Sequence, residues 1–183
     1  MSFDWHCDDS TTAKQVRSLP LLAGPGHQPG QELVGTQEWP LHSYLELQAL
    51  PVSVCSARRH ARDILHQWHM GTLSDPVELL VSEIVTNAVR AAASLTASER
   101  RNGRAPRVRL WLTSDQHSVL IQVWDGDDHR AVRQDAGLDA EAGRGLLLVE
   151  TLSARWGCHR PDGQNGKIVW ALCPSAGCPG AGR

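Results

Sequence analysis

The stretch "ELLVSEIVTNAVRAA", residues 78–92, decides how the rest of the chain is read. At 100° per residue, Val77, Leu80, Val81, Ile84, Val85 and Ala88 fall on one arc, the signature of an amphipathic helix with one buried face. Glu83 and Asn87 project together at one margin of that arc, about 40° apart. A margin position is held rigid by the core on one side and open to a ligand on the other. A polar rim of this kind is also routine on surface helices, so the pair by itself leaves both accounts open.

The elements around it follow from period and punctuation. "LHSYLELQA" (41–49) alternates Leu41, Ser43, Leu45 and Leu47 against His42, Tyr44, Glu46 and Gln48, the pattern of a half-buried strand. After Pro51, residues 54–70 place Ala57, Ala61, Ile64, Leu65 and Trp68 at helical spacing, with Gly71 expected to end that helix. Ser74 or Asp75 is expected to cap the next helix, with Pro76 in its first turn. "RVRLWLTSD" (107–115) and "SVLIQVWDGD" (118–127) read as two strands joined by a tight turn near Gln116–His117. A charged loop precedes "GRGLLLVETLSA", a glycine-led helix. "RWGCHR" and "KIVWALC" are two short strands joined by "PDGQNG", a strong turn signal. Strand pairs with tight turns imply a mostly antiparallel, mixed sheet. Three amphipathic helices must then cover one face, an α+β two-layer sandwich.

Outside residues 41–173 the composition changes. Residues 1–40 are rich in Gly, Pro and Gln and lack a period, so a flexible N-terminal tail is expected; residues 174–183 read as a flexible C-terminal tail. The 183 residues suit one domain with tails. A formal net charge of −2 lacks the basic excess of a nucleic-acid-binding surface. No apolar run of transmembrane length occurs, and the first residues lack the pattern of a signal peptide. A cytoplasmic protein is expected. Five scattered cysteines, an odd number, read as free thiols rather than a disulfide framework. Cys173 and Cys178 lack the two further ligands that a zinc site needs.

Two further features bear on chemistry. Asp125 directly follows an apolar strand, and Gly126 follows it. A carboxylate there can accept a hydrogen bond from an exocyclic amine, and the glycine admits a flat ring; a solvated Asp-Gly turn is the ordinary reading. Gly143 and Gly145 sit where a loop becomes a helix, where free backbone N–H groups form an anion site. This is neither the dinucleotide fingerprint nor a Walker P-loop.

Taken in order, "SEIVTNAVRAA", "VWDGDD", and "GRGLLLVETLSARWG" followed by "GKIVWAL" resemble the N-box, the first glycine box, and the second box with closing strands of the gyrase, histidine-kinase and MutL ATPase superfamily. The fold of that superfamily is the Bergerat ATP-binding sandwich. The short single-domain form resembles the anti-sigma-factor serine kinases of the RsbW type, a histidine kinase-like ATPase domain. The resemblance covers about residues 41–173 and implies ATP and Mg²⁺ as cofactors. It implies that Asn87 supplies an oxygen to Mg²⁺ and that Glu83 is the catalytic base toward the attacking hydroxyl. Asp125 would bind the adenine amino group, Gly126 would let the ring sit close, and Gly143 and Gly145 would hold the phosphates. The loop from Asp127 to Ala142 would be the ATP lid. Arg144, Lys167, Arg130 and Arg133 are candidates for phosphate, with solvated charge as the ordinary reading.

The usual D-x-G-x-G of the first box here reads Asp125-Gly126-Asp127-Asp128-His129, which bears on affinity and turnover more than on fold. No dimerisation helix with a phosphoacceptor histidine precedes the domain; His60, His66 and His69 read as surface or packing residues. The function implied is a serine/threonine protein kinase acting on an anti-sigma-factor antagonist. The protein partner is that antagonist, a sigma factor, or both, with no direct nucleic-acid or membrane partner and with a homodimer left open. The alternatives are a nucleotide-gated protein-binding module with little or no catalysis, and a structural domain without nucleotide.

Overall fold

The computed structural model describes residues 39–94, 106–126, 148–161 and 165–175. In order these hold β1 (Leu41–Gln48), α1 (Val52–Gln67), a 3-10 turn (Gly71–Leu73), α2 (Ser74–Ser94), β2 (Arg107–Ser114), β3 (Ser118–Asp125), a helical stretch over residues 148–152, β4 (Arg155–His159) and β5 (Lys167–Pro174). The five strands form one sheet in the order β1-β2-β3-β5-β4. Every pairing between these strands is antiparallel. The expected α+β two-layer sandwich is therefore the observed architecture, with a sheet more uniform than the mixed one anticipated.

The helix layer exists because α2 is apolar where it meets the sheet. Val77, Leu80, Val81, Ile84, Val85 and Ala88 are all buried, as their spacing requires, and Val89 and Ala92 extend the stripe. They pack with Ala57, Ala61 and Leu65 of α1 and with Val108, Leu110, Leu112, Val119, Ile121 and Val123 of the sheet. Each fully buried aliphatic side chain contributes about 1.5–3 kcal/mol, so this shared core sets the relation of helices to strands. Arg62 of α1 adds a polar clamp, donating to both carboxylate oxygens of Glu78 on α2. Ser43 and His60, 2.8 Å apart, tie β1 to α1. His60 thus has the packing role expected of it.

Local ends differ from expectation in two places. Helix α1 stops at Gln67 rather than running to Gly71. His69 adopts a left-handed conformation, φ 58°, and Met70 N–H donates back to Leu65 O. A histidine thus makes the turn that a glycine was expected to make. The 3-10 turn Gly71–Leu73 then runs straight into α2, so Ser74 is helical, not a cap, and its buried hydroxyl has no hydrogen-bond partner among the described residues.

The opposite face of the sheet is aromatic. One cross-strand row runs Tyr44, Trp111, Gln122, Trp170, Gly157 through all five strands. The rings of Tyr44 and Trp111 lie 5.4 Å apart. In the next row Arg109 stacks 4.6 Å from the Trp124 ring centroid and, with Arg107, bonds Glu46. Trp39 packs here too, buried against Leu120 and Trp170. Trp39 and Pro40 are the last two residues of the stretch assigned to the N-terminal tail; residues 1–38 of that stretch lie outside the described residues.

Candidate functional site

The alternation of β3 places its last residue. Val119, Ile121 and Val123 all point into the core beneath the helices, so Asp125, two further on, points to the same side. The register confirms it: Asp125 lies across from Val108 on β2 and Lys167 on β5. The carboxylate is therefore in the layer between sheet and helices, not in a solvated turn. Its side chain is 2% exposed. A buried carboxylate is costly unless paired and hydrogen-bonded. Lys167 supplies the partner, with Nζ 3.0 Å from Asp125 Oδ1 and its own side chain 8% exposed. Lys167 is therefore no solvated charge; its ammonium sits at the carboxylate proposed for the base.

The chain around this pair is tightly drawn in. Gly166, immediately before Lys167, has φ +96°, and a Cβ there would lie 2.1 Å from the carbonyl oxygen of Asp125. Only glycine fits that conformation and that approach. Trp124 Nε1 donates to Asn165 O at 3.0 Å, closing the same corner from the outer face. At Gly126 a Cβ would meet the Trp124 ring at 3.4 Å, an ordinary contact.

On α2, Glu83 is half-buried and Asn87 exposed, the margin positions that the helical arc predicts. Among the described residues neither makes a hydrogen bond or ion pair, whereas Glu78 on the same helix is held by Arg62. Helix α2 packs against β2, β3 and β5, the strands that carry Asp125 and its neighbours. Three of the sequence features are thus on one side of the sheet: the Glu83/Asn87 margin, Asp125 and Lys167. Gly143, Arg144, Gly145, Arg130, Arg133 and the whole Asp127–Ala142 loop belong to residues 127–147, outside the described residues.

Among the described residues no three His, Cys, Asp or Glu side chains converge as a metal site. The donor chemistry suits an ion that arrives with its own oxygens. Mg²⁺ takes one or two protein oxygens and completes its shell with phosphate and water, and the exposed Asn87 carboxamide offers such an oxygen. No described helix is long and apolar enough to cross a membrane.

Comparison with family models matches residues 47–172 to the histidine kinase-like ATPase domain. The match runs from the last residues of β1 into β5 and takes in Glu83, Asn87, Asp125 and Lys167. No curated protein matches the chain.

Proposed function

The chain belongs to the histidine kinase-like ATPase domain family, and from that premise we propose that it is an ATP-binding regulatory protein kinase. It transfers the γ-phosphoryl group of ATP to a Ser or Thr of a protein partner. The partner proposed is an anti-sigma-factor antagonist, with a sigma factor as a second ligand of the same protein. The observation that carries the reading is the pairing of roles across the sandwich. Asp125 is a buried, charge-compensated acceptor at a strand end, and Glu83 and Asn87, without a hydrogen bond or ion pair among the described residues, stand on the margin of the helix packed over that sheet face.

Each residue has a physical task. Asp125 accepts from the adenine amino group, and Gly126 leaves the ring room. Asn87 holds Mg²⁺ by its side-chain oxygen, and the ion supplies neutralisation of the phosphate charge when bound. Gly143 and Gly145 donate backbone N–H groups to the phosphates, with Arg144 beside them. Glu83 accepts the proton of the attacking hydroxyl as its oxygen takes the phosphoryl group and ADP departs. General-base assistance of this kind contributes about 10²–10⁴-fold. Glu83 suits the role because, among the described residues, no arginine holds it as Arg62 holds Glu78.

Incubation with labelled ATP and candidate antagonists tests the assignment. Label on a partner Ser or Thr that disappears with Glu83→Ala supports the kinase. The altered box Asp125-Gly126-Asp127-Asp128-His129 favours a second reading, a nucleotide-gated binding module, whose signature is ATP-dependent association with the partner without label.

A further inference from the structure

We propose that Lys167 is a positioning residue for base recognition: it holds Asp125 ionised and aimed, so that the carboxylate selects a purine bearing a 6-amino group. The inference rests on the ATP reading above and adds to it the residue that sets the choice of base.

The argument starts from burial. Asp125 shares its cross-strand row with Leu47 and Val108, two apolar residues, before Lys167 closes the row on the other side. In such surroundings an isolated carboxyl group takes up a proton rather than remain charged. A protonated carboxyl presents a hydroxyl donor as well as an acceptor, and a donor opposes an amino group. An ammonium carries donors only, so it stabilises the ionised carboxylate and keeps it an acceptor. Lys167 Nζ does this at 3.0 Å from Oδ1, within a register that places the two residues directly opposite.

The geometry is held from behind. The positive φ of Gly166 and its approach to Asp125 O lock the start of β5 against the end of β3. The Trp124–Asn165 hydrogen bond holds the same corner from the other face. The two backbones thus meet at a close corner, and both side chains of the pair are buried. The lysine ammonium lies at the group proposed to read the base.

The test compares equilibrium binding of Mg·ATP with that of Mg·purine-riboside triphosphate, which lacks the 6-amino group, to the full chain. A hydrogen bond from a neutral donor to a charged acceptor predicts that the wild type prefers ATP by about tenfold or more. Lys167→Met brings the two affinities close to equal, and Lys167→Arg restores the preference. Should Lys167→Met fail to fold by circular dichroism, Lys167→Gln gives the same reading, because it keeps a donor but not the charge. A purely structural lysine would lower the melting temperature without moving the ratio. A ratio in the folded Met or Gln variant equal to that of the wild type overturns the inference, as does a wild type that binds ATP with no preference for the amino group. A wild type that binds neither nucleotide overturns the ATP reading itself.

Discussion

Arg62 grips Glu78 through two hydrogen bonds, Nε to Oε1 at 2.7 Å and Nη2 to Oε2 at 2.5 Å, joining α1 to α2 across the helix layer. The same helix carries Glu83, which has no such clamp among the described residues. The two carboxylates thus divide into a structural one and an available one. Arg62→Ala leaves a buried carboxylate without its partner, and the expected result is a lower thermal unfolding midpoint with ATP affinity unchanged. Differential scanning calorimetry and a binding isotherm on the same variant check both halves. A loss of ATP affinity without a loss of stability would place Arg62 in the site instead.

Gly166 predicts a second stability effect. Its φ of +96° is hostile to a side chain, and the added methyl would meet the Asp125 carbonyl. Gly166→Ala therefore costs about 1–3 kcal/mol from backbone strain alone. Urea denaturation reads this as a lower midpoint; a midpoint equal to that of the wild type would mean that the β3–β5 corner is not drawn tight.

His60 gives stability a pH dependence. Burial holds its imidazole below the usual histidine range, and the charge of Asp63 only partly offsets this. The unfolded chain therefore binds the proton more readily. This contribution is flat above about pH 6.5 and falls as the pH drops toward the lower folded value. Denaturation at about pH 7.5 and about pH 5.5 should show a smaller loss in His60→Gln than in the wild type. Equal losses in the two proteins would remove His60 from the account.

Burial also silences a cysteine. The Cys173 thiol is pushed up to about 11 by desolvation. Cys55 is exposed, and Cys158 is buried like Cys173. A maleimide at neutral pH should mark Cys55 in the folded chain and reach Cys158 and Cys173 only on unfolding, as peptide mapping would show. Early labelling of Cys173 would contradict its place in the core.

What was legible in the sequence had a period. The stripe of α2 and the alternation of β1, β2 and β3 depend on neighbours three, four or two residues away, and each was read to within a few residues. Asp125 was legible as a strand-end carboxylate for the same reason. What escaped depends on register between distant strands. Trp111, Trp124 and Trp170 form an aromatic outer face only because β2, β3 and β5 align as they do. The partner of Asp125 escaped likewise: Lys167 read as a phosphate candidate or a solvated charge until the β3–β5 pairing set it opposite the carboxylate. The end of α1 was misread because His69 takes the left-handed conformation that Gly71 was expected to provide.

The central claim is that the margin of α2 holds the metal of a nucleotide bound over Asp125. Titration calorimetry of ATP with and without Mg²⁺, on the wild type and on Asn87→Ala, tests it most directly. Asn87 is exposed and makes no hydrogen bond among the described residues, so its loss should leave the fold intact. The account predicts Mg²⁺-dependent ATP binding by the wild type and none by Asn87→Ala. Equal affinity of the two proteins for Mg·ATP would contradict it.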